Sequence, residues 1–365
     1  YGNGIPQLVE KEKPRKTLPV YNTHPEIPDS EKHNYRITDN EIGMGGAKEK
    51  FRKNIAAINL LHELEFDNRL ATPEEQEILA QYSGWGGLAD AFDETKDNWH
   101  SEFTELYTTL SPEEYEAAKE STLTAFYTPP VVIKAMYNAL ENMGFKRGNV
   151  LEPSCGVGNF MGLIPESMDA KMYGVELDSL SGRIARQLYQ KNGITIDGYE
   201  KTHFPDSFFD VAVGNVPFGQ FKVVDKKYDK HNFLIHDYFF AKTLDKVRPG
   251  GVIAFVTSSG TLDKENPAVR KYLAQRADLI GAIRLPDTTF KDNAGTRVVS
   301  DIIFLQKRDR IIEAEPDWVH LGVDENGIPM NQYFIDNPDM VLGEMVMRSG
   351  PFGDEPTCRA YEGQD

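Results

Sequence analysis

The chain has 365 residues, 40% of them apolar, and a formal net charge of −17. That length supports two or three cores, and the apolar share excludes wholesale disorder. Only two cysteines are present, Cys155 and Cys358, which excludes a disulfide framework and suits a reducing, cytoplasmic compartment. No apolar run approaches the roughly 20 residues of a membrane span. The opening YGNGIPQLVEKEKPRK has no signal-peptide core, and it starts on Tyr rather than Met, as a piece of a longer or trimmed chain would. The acidity is uneven. Residues 1–120 carry 13 Lys/Arg against 24 Asp/Glu, residues 121–310 carry 25 against 21, and residues 311–365 carry 2 against 12. The middle can therefore face a polyanion locally, whereas the flanks are a poor footprint for tight duplex binding.

Residues 1–44 are polar and read as an extended arm. From Ala47 the apolar residues Phe51, Ile55, Ile58 and Leu61 fall at helical spacing. Thr72-Pro73-Glu74-Glu75 and Ser111-Pro112-Glu113-Glu114 are helix starts with a capping pattern. Residues 45–120 thus predict a small helical domain. Its first capped helix should end near Tyr82, at the turn holding Trp85, read as a packed aromatic. From 121 to 310 short apolar strands alternate with helices. Strands are expected over 149–152, 172–176, 194–196, 208–213, 252–256, 279–283 and 297–305. Helices are expected over 131–143, from about 157, and over 179–191, 233–247 and 266–275, with Pro249-Gly250-Gly251 as a stop. This alternation predicts a doubly wound, mostly parallel α/β sheet, with its ligand crevice at the carboxyl ends of the strands. Residues 311–365 read as an acidic extension without periodicity, in which Met345, Val346 and Met347 are candidates to dock.

Two constellations carry chemistry. In Glu152-Pro153-Ser154-Cys155-Gly156-Val157-Gly158-Asn159-Phe160, two glycines let the backbone turn and approach a ligand at a strand-to-helix junction. The six-position dinucleotide fingerprint and the Gly-Lys-Ser/Thr of a phosphate loop are both missing, and Glu152 repels phosphate but attracts a cation. Glu176 ends the next strand, placed to accept two ribose hydroxyls; Asp178 is the alternative, or a helix cap. Together they describe a pocket for a nucleoside-like cation such as S-adenosylmethionine. The second constellation is Asn215-Val216-Pro217-Phe218. Asn215 Oδ1 and the Val216 carbonyl can accept an exocyclic amine, Pro217 stiffens the loop, and Phe218 offers a stacking face. The bland alternative is a packed turn.

In order and spacing these motifs resemble adenine-N6 DNA methyltransferases of the amino-methylating class. The nearest resemblance is to the methylase-like domain of large helicase-methylase proteins of phages, plasmids and conjugative elements. It covers about residues 121–308 and implies a Rossmann-like S-adenosylmethionine-dependent methyltransferase fold. Phe126-Tyr127-Thr128-Pro129 matches the family's aromatic-proline loop, so the resemblance assigns Tyr127, Thr128 and Pro129 to the methionine end of the cofactor. Glu152, Pro153, Gly156, Gly158 and Asn159 would hold the cofactor and Glu176 its ribose. Asn215, Val216, Pro217 and Phe218 would form the catalytic loop, with Phe218 on the target base. Two departures stand out. Val216 replaces a proline, and the acid after the third strand is ambiguous between Glu200 and Asp206. Residues 311–365 show no obvious target-recognition domain, so sequence-specific reading would come from a missing part, such as helicase or recognition domains of the same longer polypeptide, from a partner, or from nowhere.

Lys226, Lys227 and Lys230 are candidates to meet DNA phosphates beside the target, with a solvated loop as the alternative. His231, His236 and Asp237 make a weak metal pattern, and no metal is expected. Ser258 and Ser259 lack a hydrolase context, and Cys155 reads as buried filler. The loop 284–296 is read as shaping the target side of the cleft. The expected reaction is methyl transfer to the N6 amine of adenine in DNA. The alternatives are an inactive structural or DNA-docking module, and a methyltransferase acting on RNA or protein glutamine.

Overall fold

The computed structural model describes residues 23–122, 127–290 and 298–363. Phe126 and residues 291–296 of the loop expected over 284–296 lie outside them. The helical segment contains α1 (Ala47–Phe66), α2 (Pro73–Leu79), α3 (His100–Thr109) and α4 (Pro112–Ser121). Both capping boxes form, with Thr72 and Glu75 reciprocally bonded at α2 and Ser111 and Glu114 at α4. The helix expected to run to Tyr82 ends at Leu79. Trp85 is 1% exposed and meets Phe51, Tyr82 and Phe92 edge-on, with centroids 6.2, 6.3 and 5.5 Å away.

Helix α5 (Pro130–Asn142) leads into strand β1 (Arg147–Glu152), a single helical turn α6 (Asn159–Gly162), β2 (Asp169–Glu176), α7 (Ser179–Leu188) and β3 (Gly193–Ile196). Then come β4 (Phe209–Asn215), α8 (Ile235–Lys246), β5 (Val247–Ser258), α9 (Gly260–Asp263), α10 (Ala268–Arg276), β6 (Ala277–Arg284) and β7 (Ser300–Lys307). The sheet order is β3-β2-β1-β4-β5-β7-β6, with β7 antiparallel to both neighbours. Both faces are covered, which is why the strands read as continuous apolar runs. Val150, Val211, Val213, Val252 and Ala254 join the cluster formed with α1–α5 and α7. Their alternates Leu151, Ala212, Ile253 and Phe255 join the cluster under α8 and α10. Helix α8 ends at Lys246, just before Pro249-Gly250-Gly251, but the strand expected from Val252 already begins at Val247. The sheet register jumps there from Phe209↔Val247 to Val211↔Val252, a bulge inside β5.

Both terminal segments pack on the body. The N-terminal arm does so from about residue 34. Tyr35 N–H donates to the Leu188 carbonyl at 2.8 Å and Ile37 N–H to that of Gly162 at 3.0 Å, and Tyr35, Ile37 and Ile42 are buried. The C-terminal extension is likewise part of the body. It contains β8 (Leu321–Val323) paired with β9 (Pro329–Asn331), α11 (Gln332–Asp336), and a hairpin of β10 (Glu344–Gly350) and β11 (Gly353–Arg359). Trp318, Phe334, Val341, Met345 and Cys358 sit in the same cluster as β5 and α8, while Met347 points out, 50% exposed. Arg284 ties the extension to the sheet. It is fully buried, forks onto Asp301 at 2.9 Å twice, reaches Asp263 at 2.7 Å, and stacks over Phe334. Asp263 in turn accepts the N–H of Asn331 at 2.9 Å.

Candidate functional site

Strand order reverses between β1 and β4, so the crevice at their carboxyl ends is where an open α/β sheet places a ligand. β1 pairs directly with β4 through Leu151↔Ala212, which brings Glu152 and Asn215 to the same edge. Glu176 ends β2, the neighbour on the other side. The glycine loop spans this edge. Gly156 and Gly158 have φ of +55° and +88°, and a Cβ on Gly158 would stand 2.5 Å from the Tyr189 ring. A side chain there meets both backbone strain and a clash.

The carboxylates sit in contrasting surroundings. Glu176 accepts the Gly156 N–H at 2.6 Å and the Asp178 N–H at 3.0 Å. Burial nevertheless lifts its pKa to about 7, with the Asp178 charge adding to the shift and the two N–H groups opposing it. Glu152 is 2% exposed, and its Oε2 has no partner among the described residues. Burial first, then the charge of Glu176, pushes its carboxyl well up. Asp178 is a cap: its carboxylate accepts the Ser181 N–H at 3.0 Å and the Ser181 hydroxyl at 2.6 Å.

Residues 127–129, just ahead of α5, meet the strand ends through Asn215. Thr128 is 6% exposed, and Asn215 Nδ2 donates to its Oγ1 at 3.1 Å. Tyr127 is half-buried, with the Asn159 side chain in hydrogen-bond reach; burial pushes the phenol well up. Pro153 is buried and Pro129 half-buried. No described residue donates to Asn215 Oδ1 or to the Val216 carbonyl. The Val216 side chain is 2% exposed in the core, and its N–H donates to the Val256 carbonyl at 3.1 Å, a bond proline cannot make. Pro217 and Phe218 are half-buried beyond it.

Not every candidate converges. Glu200 lies on a turn after β3, half-buried with its carboxylate folded against Gly198. Asp206 lies at the opposite end of the sheet, where the chain enters β4, paired with Lys246 at 2.9 Å. Lys227 is drawn to that same end, 3.5 Å from Asp206 and 3.1 Å from Asp245, so it is not beside Asn215. Lys226 and Lys230 are exposed on the same loop. His231 stacks on Phe233, and His236 pairs with Asp237 at 3.6 Å. Ser258 Oγ accepts the Gly260 N–H at 3.3 Å, and Cys155 is buried. The sequence reading passed over Asp197. It follows the last residue of β3, bonds the Glu176 carbonyl through its N–H at 3.0 Å, and is exposed at the crevice edge. Its signal was an acid directly after the apolar alternation Ile194-Thr195-Ile196.

Residues 101–319 match the family described as N-6 DNA Methylase. The chain belongs to that family. Among relatives of this chain, Defense against restriction protein B of Escherichia phage P1 is 30% identical over 273 residues, covering 73% of this chain and 10% of the phage protein. Type II methyltransferase M.CvrRI of Paramecium bursaria Chlorella virus XZ-6E is 32% identical over 94 residues, covering 26% of this chain and 24% of that enzyme. The chain thus spans a tenth to a quarter of the relatives it matches. Among solved structures, one assigned to class I S-adenosylmethionine-dependent methyltransferases, from Listeria monocytogenes, aligns at TM-score 0.45 with 18% identity, over 74% of this chain and 90% of that one. The M protein of the type I restriction enzyme EcoKI aligns at 0.39 with 15% identity, over 72% and 62%. Likenesses of this size say nothing about residues or activity.

Proposed function

We propose that the chain transfers a methyl group from S-adenosylmethionine to the N6 amine of adenine in DNA. The observation that carries this reading is Asn215. It ends β4 beside the cofactor strand, its amide nitrogen is held by Thr128, and its Oδ1 is left as an uncommitted acceptor next to the equally uncommitted Val216 carbonyl. Two acceptors at one strand end match the two protons of an exocyclic amine.

The pocket residues fit the cofactor. The unpartnered Glu152 Oε2 is a buried acceptor awaiting a donor, as the cofactor's ammonium supplies. Glu176 suits two ribose hydroxyls, and Asp197 is better placed than Glu200 or Asp206 to receive the adenine amine. The cofactor supplies an electrophilic methyl group. The chain's own part is positioning: Asn215 and the Val216 carbonyl hold the amine with its lone pair toward that methyl, and Phe218 stacks on the base. The proton on the methylated nitrogen then leaves to water, so no side-chain base is needed. A duplex target must first be flipped out, at a cost of a few kcal/mol.

We further infer that the chain works within a longer protein of the helicase-methylase kind found in mobile elements, whose other parts supply most phosphate contacts and any sequence recognition. The acidic flanks and the placement of Lys227 support this. The test is calorimetric titration of S-adenosylmethionine into the chain, followed by transfer of labelled methyl to adenine-containing DNA, with Asn215→Ala as control. Binding plus N6-methyladenine formation that Asn215→Ala abolishes supports the reading. Binding without any transfer supports the docking-module alternative, and transfer only to RNA or a glutamine peptide redirects the substrate.

A further inference from the structure

We infer that Thr128 is a positioning residue for Asn215, so that the loop read as lining the cofactor pocket also sets the amine acceptor. The inference rests on the assignment of Asn215 to the target amine. An Asn amide has two ends of similar shape and opposite hydrogen-bonding character. With Nδ2 toward the crevice, two N–H donors would face the two protons of the amine, and the site would repel its substrate. With Nδ2 on Thr128, Oδ1 faces the crevice.

The geometry points to Thr128 as the group that decides between them. Its Oγ1 accepts from Asn215 Nδ2 at 3.1 Å, and at 6% exposure little water competes for that bond. The Thr128 side chain is held just ahead of α5, whose buried face (Ile133, Met136, Tyr137, Leu140) fixes the helix to the sheet. The hydroxyl's own proton has no acceptor among the described residues and can be donated to a ligand in the pocket. A hydroxyl that donates to such a ligand can only accept from Asn215. Occupation of the pocket therefore locks the amide with Oδ1 toward the amine. An empty pocket leaves the hydroxyl able to donate to Asn215 instead, and the amide able to turn over.

The test compares Thr128→Val, which keeps the shape and removes the hydroxyl, with Thr128→Ser, which keeps the hydroxyl. Single-turnover transfer to adenine-containing DNA is measured at saturating S-adenosylmethionine, together with the cofactor's affinity. The expected result is a rate at saturating cofactor about 10- to 100-fold lower for Thr128→Val, the range for a misplaced reacting group, beyond the loss of affinity of up to about tenfold that one missing donated hydrogen bond brings. Thr128→Ser should restore the rate. A Thr128→Val rate equal to wild type, or a defect confined to cofactor affinity, overturns the inference. A second readout does not depend on turnover. With ¹⁵N-labelled asparagine and saturating S-adenosylmethionine, the Asn215 side-chain amide signal, identified by its loss in Asn215→Ala, should show protected exchange in the wild type and Thr128→Ser and fast exchange in Thr128→Val. If the wild-type chain methylates no adenine substrate, the reading of the function fails, while this signal still decides whether Thr128 holds Asn215. Equal exchange in all three refutes it.

Discussion

The carboxyl of Glu176 should make cofactor affinity depend on pH in a defined direction. Burial lifts its pKa to about 7, against the pull of the Asp178 and Gly156 N–H groups. The ionised form is the stronger acceptor for ribose hydroxyls and the better neighbour for a cation. A ligand that needs the ionised form sees only about 3% of the chains ready at pH 5.5 and about half at pH 7. Affinity should therefore rise about fifteenfold over that interval, near 1.6 kcal/mol, and level off above it. Binding at pH 6 should release a proton. The assay is calorimetric titration of S-adenosylmethionine at several pH values, repeated in two buffers of different ionisation heat to count protons. Glu176→Gln should flatten the curve; any slope that remains belongs to Glu152, which is also pushed up. Flat wild-type affinity, or an unchanged slope in Glu176→Gln, would refute the argument. The empty protein carries the opposite dependence. A folded-state pKa above the unfolded value holds a proton that the unfolded chain gives up, so this contribution to stability is full below about 4.5 and fades as pH rises toward about 7.

Three further outcomes are expected. Asn215→Ala should cost at least about 100-fold in methyl transfer with S-adenosylmethionine affinity within about twofold, as calorimetry and labelled-methyl transfer will show; a parallel loss of affinity would mean the residue serves the cofactor pocket. Arg284→Met should destabilise the fold by about 3–5 kcal/mol in urea titrations at pH 7, because Asp301 is left fully buried without its partner. The deficit should shrink at pH 5, where Asp301, already pushed up by burial, can take a proton. Although burial raises it, Glu114 is held at about 2 by His62, the capping Ser111 N–H and Arg183; His62 and Arg183 join α4 to α1 and α7. That support is present above about 4.5 and lost as pH falls toward about 2, so His62→Ala or Arg183→Ala should flatten the acid limb of the stability curve.

Much of the sheet was legible because each strand is a short apolar run bounded by turn residues, and both faces are covered. Val150 and Leu151, or Ile253 and Ala254, serve opposite faces, so the run itself is the signal. The helix starts at Thr72 and Ser111 were legible because capping is local chemistry. What failed was what local chemistry does not encode. Pro249-Gly250-Gly251 hides the first residues of β5, and only pairing with β4 makes it a bulge within the strand. The C-terminal extension buries only one or two apolar residues per short element, as at Trp318 and Val319, Phe334, and Met345, so no period shows. In the arm, the alternation of Tyr35 and Ile37 with polar neighbours was too short to stand out. Lys227 looked like a phosphate contact because its loop follows Phe218, yet Asp206 and Asp245 draw it to the other end of the sheet.

The Val216 substitution shows how the catalytic loop is held. Measured against a doubled proline, valine looks like a softening of the loop, since it gives up the ring that fixes φ. In the folded chain it gains two anchors that the ring lacks. Its N–H extends the pairing with β5 onto the Val256 carbonyl, and its side chain is buried under the loop. The carbonyl faces no described donor, so the one atom that the proposed chemistry asks of this position is left available. Asn215 is then fixed from both directions: by the β5 ladder on its C-terminal side and by Thr128 through its side chain. Rigidity that a second proline would supply by covalent geometry is supplied here by a sheet bond and a tertiary contact. Tolerance of valine at this position therefore depends on the loop before α5 being in place.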